Sequence, residues 1–174
     1  ELEVGDEVLV SVEDFAMTDD QLQLVMGGGV GGGSLRKVSA HKAMFRVGHA
    51  SRQADYLQWK HDMLAPFAGD IAPMGKGTGF DTRASASLLD LRHQLYGENG
   101  ERSVSTAVLD QLDERGLAVW YGDDGSFMGS FERWGNGKAV HYNKSLTPEA
   151  RERVAVRLEQ MGVGRPRDDG RGFW

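Results

Sequence analysis

Six of the seven residues from Gly27 to Gly33 are glycine, and a helix-start signal precedes them. Thr18-Asp19-Asp20-Gln21 supplies a threonine cap, two acids for the first turn and a glutamine three positions on, the arrangement of a capping box. The pattern predicts a helix from about Asp19 to Gly31. Each interior glycine costs a helix about 1 kcal/mol relative to alanine. Such a helix persists only if a second backbone lies almost in contact with it, closer than side chains would allow.

A partner of suitable shape lies 92 residues beyond Val25–Gly33. Leu117-Ala118-Val119-Trp120-Tyr121-Gly122-Asp123-Asp124-Gly125 runs from apolar residues through a glycine to two carboxylates and a second glycine. Read as a helix, it delivers its acids at the C-terminal end, where the dipole is already negative. A divalent cation would offset that charge. A competing reading takes Gly27, Gly29 and Gly32 as the G-x-G-x-x-G loop of a nucleotide enzyme. That motif needs a strand before it and a helix after it, whereas here a capped helix comes first and β-like sequence follows.

The stretch Leu117–Gly125 resembles the nine-residue signature of the LAGLIDADG homing endonucleases. Leu117, Ala118, Asp124 and Gly125 match it letter for letter, and Tyr121 to Ser126 resembles the version carried by intein-borne members. Val25–Gly33 is a weaker match, through Gly27 and Gly33. The resemblance implies an α/β (α+β) fold of two pseudo-symmetric half-domains, αββαββα each, whose signature helices cross at a pseudo-twofold axis above sheets that saddle the DNA major groove. It places Gly27, Gly28, Gly31, Ala118 and Gly122 at the helix interface. It makes Asp124 the metal-binding and catalytic acid, with Mg²⁺ or another divalent cation as cofactor. The equivalent position in the first signature is Gly32, which offers only a backbone carbonyl to the metal. One acid for two strand scissions implies a nickase, a weakened enzyme or an inactive one. Asp123, about 100° round the helix, is expected to face elsewhere. Lys76, in a glycine-rich turn, is the candidate basic residue near the attacking water.

The implied partners are double-stranded DNA, a divalent metal, and either a flanking intein splicing domain or a missing C-terminal segment. Net charge is −6, but residues 1–23 hold eight acids and no Lys or Arg, which leaves 18 acids against 20 basic residues in the remainder. Arg36, Lys37, Lys42, Arg46, Arg52, Lys60, Lys76 and Arg83 form a basic stretch able to line a phosphate-facing surface. Alternate strand residues would read base edges, and the candidates are Arg36, Lys42, Arg46, Arg83, Arg133, Lys138 and His141. A second reading keeps the scaffold without cleavage, as a nucleic-acid-binding, maturase-like or structural part of an intein. There are no cysteines, which excludes disulfides and thiolate sites and fits a cytoplasmic protein. No stretch of 18 apolar residues is present, so no membrane span is expected.

The chain divides into a leading strand and linker (1–17), a first half-domain (18–100) and a second (101–174). Val4-Gly5-Asp6-Glu7-Val8 resembles the strand that precedes the endonuclease insertion in inteins, although no splicing nucleophile or terminal His-Asn pair is visible. Strands are expected within Ser34–His49, then a helix from Ser51 to Phe67 with Tyr56, Trp59, Met63 and Phe67 facing the core, joined by Leu57 and Leu64. A hairpin over 70–86, a helix over Leu88–Tyr96 and a helical lead-in over Val104–Leu112 follow. The second half adds a hairpin over Trp134–Tyr142 turning at Gly135-Asn136-Gly137, and a helix capped by Thr147. Gly77-x-Gly79-Phe80 recurs as Gly170-x-Gly172-Phe173, with the phenylalanines 47 and 48 residues past Gly33 and Gly125. The second copy stops there, so its last strand and closing helix are expected from elsewhere.

Overall fold

The computed structural model describes residues 14–130, 136–142 and 144–173. Helix α1 (Asp19–Val30) starts at the Thr18 cap, which accepts from the Gln21 amide while Gln21 returns a side-chain acceptor to the Thr18 amide. Strands β1 (Ser34–Lys37) and β2 (Ala43–His49) follow, then a 3₁₀ turn at Ser51–Gln53 and helix α2 (Ala54–Met63). Strands β3 (Ala72–Met74) and β4 (Gly77–Asp81) form a hairpin, and helix α3 (Ala86–Leu95) closes the first unit. Ser85 and Asp14 both accept amides at the start of α3, so the segment before α1 is fastened to its far side.

A short helix, α4 (Thr106–Gln111), leads to α5 (Glu114–Asp124). The two are separate because Asp113 takes an extended conformation and caps α5 through the amides of Arg115 and Gly116. Strands β5 (Gly125–Ser130) and β6 (Asn136–Tyr142), helix α6 (Pro148–Gln160) and strand β7 (Gly172–Phe173) follow. Thr147 caps α6 and Pro148 opens its first turn, where a missing amide costs nothing.

The first sheet has the antiparallel order β1-β2-β4-β3, and the second, among the described residues, β5-β6-β7. The repeat read from the glycine pairs is a repeat of strand pairing. Phe80 and Gly79 pair with Val47 and Gly48, as Phe173 and Gly172 pair with His141 and Tyr142. One sequence expectation shifts: Asn136 and Gly137, expected in a turn, are strand residues opposite Ser130 and Gly129, while Trp134 and Gly135 lie outside the described residues. The leading strand Glu3–Val10 is also outside them. No helix among the described residues is long and apolar enough to cross a membrane.

A single core joins the units. Helices α1 and α5 cross at its centre, and Leu24, Val25, Met26 and Val30 of one pack with Val119 and Trp120 of the other. The crossing is a backbone contact. A Cβ on Gly27 would overlap the carbonyl oxygen of Gly116 and lie 2.9 Å from its carbonyl carbon. A Cβ on Gly28 would lie 2.8 Å from the Phe45 ring, and one on Gly31 2.9 Å from Cβ of Asp123. The partner on α5 is therefore Gly116, which lies before the signature stretch. Gly122 faces the Tyr56 hydroxyl, 2.6 Å from where its Cβ would be, and Ala118 is exposed on the wall of a cleft.

These contacts rank the glycines. Gly27→Ala must push two backbones apart and should cost about 2–3 kcal/mol or more. A Cβ at Gly32 meets only ordinary contacts at 3.6 Å and beyond, so Gly32→Ala should stay within about 1 kcal/mol of the parent. Thermal unfolding of the two variants checks the ranking, with equal losses as the contrary result.

Candidate nucleic-acid cleavage site

The crossing of α1 and α5 brings their C-terminal ends together. Gly32 and Asp124 face each other there, with a Cβ at Gly32 only 3.7 Å from Oδ1 of Asp124. Asp124 is half-buried, and burial raises its carboxyl pKa with the neighbouring Asp123 charge adding to the shift. Arg102 and Lys60 oppose that rise. Arg102 donates to the carbonyls of Val30 (2.6 Å), Gly31 and Gly33 (2.7 Å), and so satisfies the exposed end of α1.

Asp123 does not face away from the site. Its side chain is 1% exposed and forms an ion pair with Lys60, whose side chain is 0% exposed. His49 Nε2 lies 3.7 Å from the same carboxylate oxygen, and the Lys60 ammonium sits 4.6 Å from the centre of the Tyr56 ring. The Tyr56 hydroxyl donates to the carbonyl of Val119 on α5. Burial lowers the pKa of Lys60 against the pull of Asp123, and burial followed by the Lys60 charge lowers that of His49. Burial, with the Asp123 charge, raises that of Tyr56. Strand β2 and helix α2 thus reach across to grip the end of α5.

This geometry corrects the expectation for α2. Its core face is Leu57, Lys60, Leu64 and, just beyond the helix, Phe67. Tyr56, Trp59 and Met63 instead line a cleft of about 490 Å³ with Leu24, Ala118 and Val119, and Trp59 is 44% exposed. Lys60 is accordingly no part of a phosphate-facing surface. Its spacing of three and four from Leu57 and Leu64 was the available signal. Nothing in the sequence pointed to Arg102.

The remaining candidates separate by strand parity. On β2, Ala43, Phe45 and Val47 point into the core, so Arg46 lies on the outer face, where Arg36 of β1 also lies exposed. Arg46 makes a two-pronged ion pair with Asp81, at 2.6 Å on each prong, which holds the Asp81 carboxyl below its usual range; the Arg36 charge adds to this. Lys42 is in the turn that enters β2. Lys76 is exposed in the β3–β4 turn, beside Gly77, whose backbone packs on the carbonyl of His49.

Arg83 is not on the sheet face, because it follows β4 and donates to the carbonyl of Pro66. His141 points inward, with its ring 4.6 Å from Trp120 and 5.0 Å from Tyr121, and burial pulls its pKa down to about 4. Lys138 pairs with Met128 in the β5–β6 ladder, and Arg133 lies outside the described residues.

At the paired helix ends the half-buried Asp124 carboxylate faces Gly32, where a Cβ would meet only ordinary contacts. No group of three or more His, Asp or Glu side chains arranged for a metal occurs among the described residues. The sequence profile of the LAGLIDADG DNA endonuclease family matches residues 22–162, from within α1 to just past α6.

The chain belongs to the LAGLIDADG DNA endonuclease family.

Two curated relatives carry the name Protein RecA. That of Mycolicibacterium fallax is 37% identical over 95% of this chain and 43% of its own length. That of Mycolicibacterium chitae is 37% identical over 73% of this chain and 30% of its own length. The chain therefore spans less than half the length of these relatives. In fold it is similar to the homing endonuclease I-WcaI, solved bound to its DNA recognition sequence, with a TM-score of 0.75 at 13% identity, covering 91% of this chain and 76% of that one.

Two predictions follow the buried groups. Lys60→Met leaves the Asp123 carboxylate buried without its cation and should cost about 3–5 kcal/mol, whereas Lys60→Met with Asp123→Leu should recover most of the loss; chemical denaturation of the single and double variants tests this. His141 has a folded-state pKa near 4 against 6.5 unperturbed. Its contribution to stability is complete above pH 6.5 and is lost as pH falls toward 4. His141→Phe should flatten the melting temperature across that window, and an unchanged pH profile would contradict the assignment.

Proposed function

We propose that this chain is the endonuclease region of an intein, and that it hydrolyses one strand of a long DNA target with a divalent cation. The observation that carries this reading is the meeting of Asp124 with Gly32 at paired helix ends, one half-site furnished with a carboxylate and the other without. The RecA-named relatives support the intein context, since a match to under half of each fits a segment lodged within a host protein. A flanking splicing domain is then the expected covalent neighbour. DNA as substrate puts its work in the cytoplasm.

Asp124 is the proposed ligand of the cation, for which Mg²⁺ is the natural choice given oxygen donors. When bound, such a cation neutralises phosphate charge and makes a coordinated water acidic enough to attack. The protein's own contribution is placement. The Lys60–Asp123 pair holds the last turn of α5, so that the Asp124 oxygens stay at the groove between the helices. Arg36 and Arg46 on the outer sheet face supply charge for the DNA backbone or base edges, and Arg46 must exchange its Asp81 partner to do so. Lys76, exposed at the neighbouring turn, is proposed near the attacking water.

A second reading has its own support. Asp123 is committed to Lys60, and one carboxylate is a thin donor set, so the scaffold would bind DNA without cutting it. Selection of nicked molecules from a supercoiled plasmid library with random inserts, in Mg²⁺, decides between the two. The wild type is expected to yield nicked circles with few linear molecules. Asp124→Asn should lose nicking by about 10²-fold or more while DNA affinity stays within a few-fold. Binding without nicking by the wild type would favour the second reading.

A further inference from the structure

The end of α1 lacks an acidic side chain at Gly32 and has a guanidinium seated on its carbonyls. The last turn of α1 has no basic residue of its own, yet a guanidinium arrives there from the segment joining the two units. Arg102 spreads its fork over the carbonyls of Val30, Gly31 and Gly33, the oxygens on both sides of Gly32. They flank the one acceptor that Gly32 can offer, its own backbone carbonyl, so a cation on that side would lie beside the guanidinium.

The arginine is held rather than draped. Its backbone bridges Tyr96 at the end of α3 and Leu146 ahead of α6, and its carbonyl accepts from the Thr147 amide at 3.0 Å. Its guanidinium carbon lies 6.0 Å from the centre of the Tyr96 ring. A guanidinium carries a full positive charge. A divalent ion placed on the same carbonyls would meet both occupied acceptors and a like charge.

We propose that Arg102 is a positioning residue that occupies the Gly32 half of the site and excludes a cation from it, confining the enzyme to a single metal at Asp124 and to one strand. The proposal rests on the nuclease reading for its consequence, but its physical content is ion exclusion by Arg102. The missing carboxylate at Gly32 and the guanidinium at its neighbours are then one adaptation. Restoring the acid alone would not restore the second half-site, because Arg102 would still hold the carbonyls and would pair with the new carboxylate.

Mn²⁺ titrated into the full chain and counted by electron paramagnetic resonance reads this without any cleavage. Gly32→Asp is expected to bind no more Mn²⁺ than the wild type. Gly32→Asp with Arg102→Gln is expected to bind one further ion per chain. Gly32→Asp with Arg102→Lys keeps the charge and should stay at the wild-type count. An additional ion in Gly32→Asp with Arg102 in place overturns the proposal, and that arm does not depend on the Arg102 variants folding. No additional ion in a folded Gly32→Asp/Arg102→Gln chain also overturns it. A wild type that never nicks DNA, with ion counts as expected, sinks the nuclease reading and leaves the role of Arg102 standing.

Discussion

Everything at the site depends on two helices lying backbone to backbone. Gly27 against Gly116 removes the spacing that side chains would impose, and the helix ends meet because the middles do. The glycines weaken α1 as a helix by about 1 kcal/mol each, and packing against Leu24, Met26, Val119 and Trp120 offsets it. A helix that exists only through its partner cannot move independently of it. The crossing is therefore a fixed frame, and what is hung on its ends keeps its geometry.

Two acids stand at the end of α5, and the frame gives them different fates. Asp123 points into the molecule, where Lys60, His49 and Tyr56 surround it. Asp124 points across to Gly32 and remains half-buried. A helix C-terminus disfavours both charges. Lys60 answers the first from within, and the positive field of Arg102 stabilises the second as a carboxylate. A buried ion pair adds little net stability by itself, but it fixes the rotation of α5 about its axis, and that rotation decides where Asp124 points.

The order of helices and strands was legible because each start carries its own chemistry. Thr18 and Thr147 cap their helices through the next turn's amides. The Gly-x-Gly-Phe repeat was legible because it marks equivalent strands in two sheets. Ala118 and Gly122 were expected at the interface, but Gly116 is the residue opposite Gly27, since composition tells that two helices touch but not where they cross. Lys60 and His141 misled for a different reason. A basic residue on an amphipathic pattern reads as solvent-facing, and only tertiary placement shows that Asp123 lies under one and Trp120 beside the other. Arg102 had no local signature at all, since its partners are carbonyls some 70 residues away.

The central claim is that Gly32 and the end of α5 touch across the crossing. A Cβ at Gly32 would lie 3.6 Å from Cβ of Asp123, within the span that a disulfide bridges. The native chain has no cysteine, so Gly32→Cys with Asp123→Cys, in a Lys60→Met background that removes the orphaned ammonium, offers one pair of thiols only. Mild oxidation followed by mass measurement of the monomer should show the loss of two hydrogens in nearly every chain. Chains that stay reduced, or that link only to one another, would place the helix ends apart and contradict the account.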